Sequence, residues 1–135
     1  MEAIRSFKEH HKNQFNLTFH VICGMAYMGM VIHLVGPMFI LPYCLYLCYL
    51  FPRYVPIHAA IGIMLYAIHN FMSLFSWPVK LKVMFIVFFY MAPELSHWLT
   101  SENTVLRVND LSITSISENF FLLPPLSILS YINAA

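Results

Sequence analysis

Residues 17–36 read LTFHVICGMAYMGMVIHLVG, a run with no charged side chain but two histidines. A helix needs about 20 apolar residues to cross a hydrocarbon core of about 30 Å. This run has that length before Gly36-Pro37 ends it, because proline lacks an N–H and clashes with the turn before it. The fold turns on reading this run as a membrane span. Composition favours the span: the 135 residues are 60% hydrophobic and 10% charged, against roughly 45–50% and 25% in soluble domains. The chain reads as all-α, a small polytopic transmembrane helical bundle of four to five membrane segments forming a single domain, 1–135.

Upstream, residues 1–16 form a polar arm of mixed charge (Glu2, Arg5, Lys8, Glu9). The apolar run after it is too long for a signal-peptide core, so no cleaved targeting segment is expected. Downstream, residues 38–51 form a short apolar segment containing Pro42. Residues 55–77 form another, bounded by Pro52, Pro56 and Pro78, and 81–99 a fourth. The four apolar segments thus fill 17–99. Residues 100–119, rich in Ser, Thr and Asn, read as an interfacial connection to a short apolar segment, 120–132. Lys and Arg gather on the cytoplasmic side. A cytoplasmic N-terminus puts Arg5, Lys8, Lys12, Arg53 and Arg107 inside and Lys80 and Lys82 outside.

A net charge of +1 gives no basic field for nucleic acid, and the bilayer is the expected partner. The three cysteines sit inside apolar segments without a C-x-x-C pair and read as small buried hydrophobes rather than a disulfide framework.

At 1.5 Å of rise per helical residue, that topology sorts the seven histidines by depth. His10, His11, His20, His58 and His97 fall at the inner level, His33 and His69 toward the outer one. Polar groups in a membrane are costly and usually face a bundle interior, a cavity or a partner, and imidazole is the commonest side-chain metal ligand. A metal site of His11, His20, His58 and His97 follows as an expectation. His10 reads as solvated, and His33 and His69 as packing residues. Asn16 is placed to cap the helix that begins the first segment, with His20 in its first turn, and is expected with Glu94 among the groups that support the ligands from behind. His11 must then fold back from the arm, because a continuous helix would set the two rings about 180° apart. Glu94 shares a helix face with His97 and is expected to orient its imidazole.

The spacing His11-x-Asn13-x-x-Asn16-x-x-x-His20 resembles the N-terminal signature of the Mpo1-like (DUF962) family of small membrane proteins, with Gln14 where that family commonly has proline. His97, Glu102 and the run LRVNDLSITSISENFFLLPPLSI resemble its later layout, although the family's glycine before this histidine is Ser96. The resemblance implies an Fe(II)-dependent dioxygenase of fatty-acid α-oxidation, in the endoplasmic reticulum membrane or a bacterial inner membrane. It would remove one carbon from a 2-hydroxy fatty acid with O2, and His11, His20 and His97 would act through the bound iron. A b-type haem protein with two axial histidines and a non-enzymatic membrane scaffold or channel-like bundle are the alternatives.

Overall fold

The computed structural model describes residues 2–102 and 113–134, and among the described residues it holds six α-helices and no strand. They are α1 (Glu2–His10), α2 (Gln14–Val35), α3 (Ile40–Leu50), α4 (Val55–Met72), α5 (Val79–Thr100) and α6 (Ile113–Ala134). Prolines punctuate the chain as expected. Pro37 and Pro52 each open a single 3₁₀ turn, and Pro42 and Pro56 fall in the first turns of α3 and α4, where a missing N–H leaves no intrahelical bond unmade. Gly36 closes α2 at φ 108°, a conformation that a side chain would strain.

The expected segments survive with shifted ends. α2 begins at Gln14, ahead of the apolar run, α4 stops at Met72, and α5 continues through Pro93 to Thr100. The apolar stretch 120–132 is the inner part of a 22-residue helix. Of the connection expected over 100–119, residues 103–112 lie outside the described range.

Two compact units divide the chain: residues up to Gly24 with those from Phe89 onward, and residues Met25–Phe88. Both α2 and α5 run through each of them. In the first unit α1 packs on α6. Ile4, Phe7 and His11 occupy one face of the arm at helical spacing, and Ile4 and His11 are buried while Arg5 and Glu9 face outward. Lys8 Nζ donates to the Asn133 carbonyl at 3.0 Å, a cation on the final turn of a helix, where the carbonyl partial charge favours it.

The second unit buries Tyr27, Met28, Met30 and Ile32 of α2, Tyr43 and Leu47 of α3, and His58, Ile61 and Leu65 of α4. Gly29 sits where α2 meets α4, and a Cβ added there would lie 2.3 Å from Ile68 Cγ2 and 3.0 Å from its Cβ. Small residues at such crossings let helix backbones approach closely without a hydrophobic drive.

Among the described residues, two helical stretches, Gln14–Val35 and Pro52–Met72, are long and apolar enough to cross a membrane. Their burial differs: 56% of the apolar window is buried in the first and only 22% in the second. α4 turns Ile63, Met64, Tyr66 and Phe71 outward, an exposed apolar surface that a membrane or another partner would cover. α5 likewise exposes Val83, Met84, Val87 and Phe88.

The Gly29 crossing carries a direct test. Gly29→Ala is expected to destabilise the protein in detergent by about 1–3 kcal/mol, the usual range for overpacking, and Ile68→Ala in the same chain to restore most of the loss. A thermal melt of both variants decides it; equal melting of Gly29→Ala and the parent would remove the close approach.

Candidate metal centre

The site lies wholly within the first unit. His11 ends the arm, His20 lies in the second turn of α2, and His97 lies near the end of α5; the three side chains are 2%, 2% and 0% exposed. One nitrogen from each ring can be chosen so that all three atoms lie within 4.8 Å of one another, close enough for one metal ion.

Local backbone geometry decides which nitrogens face inward. His11 Nδ1 lies 2.7 Å from the Phe7 carbonyl, and His20 Nδ1 lies 2.8 Å from the Asn16 carbonyl. A carbonyl only accepts, so each Nδ1 carries its ring's proton and donates it. Both Nε2 atoms then hold lone pairs, and these atoms stand 3.1 Å apart. Two neutral rings cannot hydrogen-bond in that arrangement, and a cation between them would satisfy both lone pairs. Burial pushes His11 down to about 4, with His97 adding to that and the Phe7 carbonyl and Glu102 opposing it, so a proton is a poor occupant at neutral pH. The Nδ1–H donated to a backbone carbonyl is also the arrangement that fixes a metal-binding imidazole in its ligating tautomer.

Ring spacing agrees with a shared small ion. With metal–imidazole bonds of about 2.1 Å, two ligands at right angles have nitrogens about 3.0 Å and ring centroids about 4.5 Å apart. The observed centroid separations are 4.3 Å for His11–His20, 4.6 Å for His11–His97 and 4.8 Å for His20–His97. His97 Nε2 is buried with no hydrogen-bond partner, as a ligating atom would be without its ion.

A polar frame holds the three rings. Asn16, fully buried, places Nδ2 3.2 Å from His97 Nδ1, donates from the same atom to Glu102 Oε2, and accepts at Oδ1 from Ser96 Oγ. An NH2 only donates, so His97 Nδ1 accepts from Asn16 and the ring proton lies on Nε2; ligation through Nε2 requires that proton to move to Nδ1 and the Asn16 amide to turn its oxygen toward it. Glu102 Oε1 accepts the backbone N–H groups of Lys12 and Asn13, each at 2.7 Å, and thereby pins the turn that folds the arm back. Burial alone would raise the Glu102 carboxyl; hydrogen bonds from Asn16, Asn13 and Lys12, with His11 beyond them, hold it below the ordinary glutamate value. Phe7 stacks on His11 at 3.8 Å between centroids and meets His20 edge-on at 6.0 Å.

The capping expectation for Asn16 is corrected. Asn13 caps α2, its Oδ1 accepting from Phe15 N at 2.9 Å, because the helix starts at Gln14 and leaves Asn16 two residues inside it, facing His97. The place expected for Glu94 as the partner of His97 is taken by Asn16, backed by Glu102. Glu94 is half-buried on α5, near enough to Tyr90 to act on it electrostatically. Ser96 and Glu102 are the members that spacing alone passed over. His58 belongs to the second unit, where its Nε2–H donates to the Phe51 carbonyl at 3.1 Å and its Nδ1 is buried without a partner. His10 points back to the Ser6 carbonyl at 2.8 Å.

Acid is expected to loosen this unit. Below pH 6.5 the unfolded chain protonates His11 while the folded one resists to about 4, so stability is lost as pH falls from 6.5 toward 4. Glu102, with its folded value lowered, contributes stability above its ordinary value and loses it at lower pH still. Thermal melts across that range should slope downward, and His11→Gln should flatten the slope between 6.5 and 4; an unchanged slope counts against the buried neutral ring. Separately, Asn16→Leu should weaken transition-metal binding 10–100-fold, the usual cost of removing a group that orients a ligand, as read by a competitive chelator titration. Comparison of the chain with protein-family models, with curated proteins and with solved structures gives no match.

Proposed function

We propose that this chain is a membrane-embedded Fe(II)-dependent dioxygenase that removes one carbon from 2-hydroxy fatty acids, as its resemblance to the Mpo1-like family implies. The observation that carries the reading is the three-histidine cluster, whose His11 and His20 lone pairs face each other with no proton to share. Each letter of the His11, Asn13, Asn16, His20 spacing has a role in that cluster: two ligands, one helix cap, and one buried amide that links His97 to Glu102.

His11, His20 and His97 would hold the iron. When bound, Fe(II) supplies the electron chemistry that activates O2. The overall change balances as 2-hydroxy acid plus O2 giving the shortened acid, CO2 and water. Three neutral imidazoles add no negative charge to repel an α-hydroxy carboxylate. The carbonyls of Phe7 and Asn16 fix the rings of His11 and His20, Asn16 holds His97, and Glu102 keeps the arm folded so that Phe7 limits water access. The bilayer would receive the acyl chain alongside the apolar side chains of α2 and α5. In this reading the helices form four to five membrane segments with the N-terminus cytoplasmic, in the endoplasmic reticulum or a bacterial inner membrane. The haem alternative fits the cluster less well, since rings packed at 4.3–4.8 Å between centroids leave no space for a macrocycle between any two.

The test is oxygen uptake by anaerobically purified protein loaded with Fe(II) and given a long-chain 2-hydroxy fatty acid, with the acid product identified by mass spectrometry. Uptake and a product one carbon shorter are expected, reduced at least 100-fold in His97→Ala and absent with Zn(II). Protein that binds Fe(II) yet consumes no oxygen with any chain length would overturn the assignment.

A further inference from the structure

In the second unit, the last turns of α2 and α4 each carry a histidine: His33 and His69. Their ring centroids are 5.4 Å apart with the planes tilted by 54°. Neither imidazole donates to the other, yet polar atoms gather around the gap. Ser73 Oγ donates its one hydrogen to the His69 carbonyl at 2.8 Å and so presents a lone pair to His33 Nδ1, 3.5 Å away. That contact places the His33 proton on Nδ1 and the lone pair on Nε2. The Nδ1 of His69 is buried and has no hydrogen-bond partner.

We propose that His33 and His69 form a second transition-metal site, separate from the three-histidine centre, that takes a borderline divalent cation such as Cu(II) or Zn(II). Two imidazoles on one tetrahedral ion, with bonds of about 2.1 Å, have ring centroids about 5 Å apart, close to the observed 5.4 Å. Both ligands sit at helix C-termini, where the carbonyl partial charge favours a cation. Ser73 gives His33 the proton-accepting partner that sets a ligating tautomer. Water completes the coordination, because both histidines are half-buried rather than sealed. One feature opposes the cation: Lys82 lies near enough to His33 to act on it as a like charge. The site is therefore weaker than its donors alone would make it, and removing that charge must strengthen it.

The experiment is a Cu(II) titration of the protein in detergent, followed by electron paramagnetic resonance, with every variant made in a His11→Ala/His20→Ala background that leaves the other centre a single imidazole. In that background a copper component with hyperfine splitting from two nitrogens is expected. His33→Gln and His69→Gln should each weaken it at least tenfold, and Lys82→Met should tighten it several-fold. Lys82 is not a ligand, so its variant keeps the proposal open to refutation even where a histidine variant fails to fold. A two-nitrogen component that persists in His33→Gln, or an affinity unmoved by Lys82→Met, overturns the proposal. Neither result bears on oxygen uptake at the three-histidine centre, which is a separate measurement.

Discussion

Two imidazoles with their lone pairs 3.1 Å apart repel each other unless a positive charge lies between them, and the carbonyls of Phe7 and Asn16 have already claimed the protons that might relieve the conflict. Burial removes the simplest remedy by disfavouring a charged ring. Much of the first unit is organised around this constraint. The arm must fold back for His11 to meet His20 at all, the turn between α1 and α2 must be held against its own tendency to straighten, and a third imidazole must arrive from α5 to complete the set.

The holding is done by groups that are individually ordinary. A hydrogen bond to a charged group is worth about 1.5–3 kcal/mol, and Glu102 accepts three, from Lys12 N, Asn13 N and Asn16 Nδ2. Asn16 has both its donor and acceptor functions engaged. Such a network is high-stakes in a low-dielectric interior, since each member lost leaves another buried and unpartnered. The exposed Arg5–Glu9 pair illustrates the contrast: a surface ion pair one helical turn apart contributes at most a few tenths of a kcal/mol.

Periodic and punctuating features were legible in the sequence; long-range partnerships were not. Prolines 37, 52 and 56 mark helix starts because their chemistry is local. His11, His20 and His97 could be assembled by counting depth, since the rise of a helix is fixed. The cap falls to Asn13 rather than Asn16 because hydropathy marks where side chains become apolar, at Leu17, while the helix itself begins at Gln14, with the polar first turn belonging to the site. Glu94 drew attention by lying one helical turn before His97; Glu102 does the work from beyond the end of α5, reaching residues some ninety positions earlier in the chain. No local pattern encodes that reach. His33 and His69 were likewise assigned to similar depths, but only the crossing of α2 and α4 at Gly29 brings their rings to 5.4 Å.

Glu102 grips the backbone of Lys12 and Asn13 across some ninety residues of sequence, and this sets an order of events during synthesis. At about 5–20 residues per second, the carboxylate leaves the ribosome roughly 5–20 s after its partners. During that interval His11 and His20 exist without His97. Assembly of the three histidines is consequently a late step, and any ion the cluster takes would be drawn from what the surrounding compartment offers once translation has passed α5.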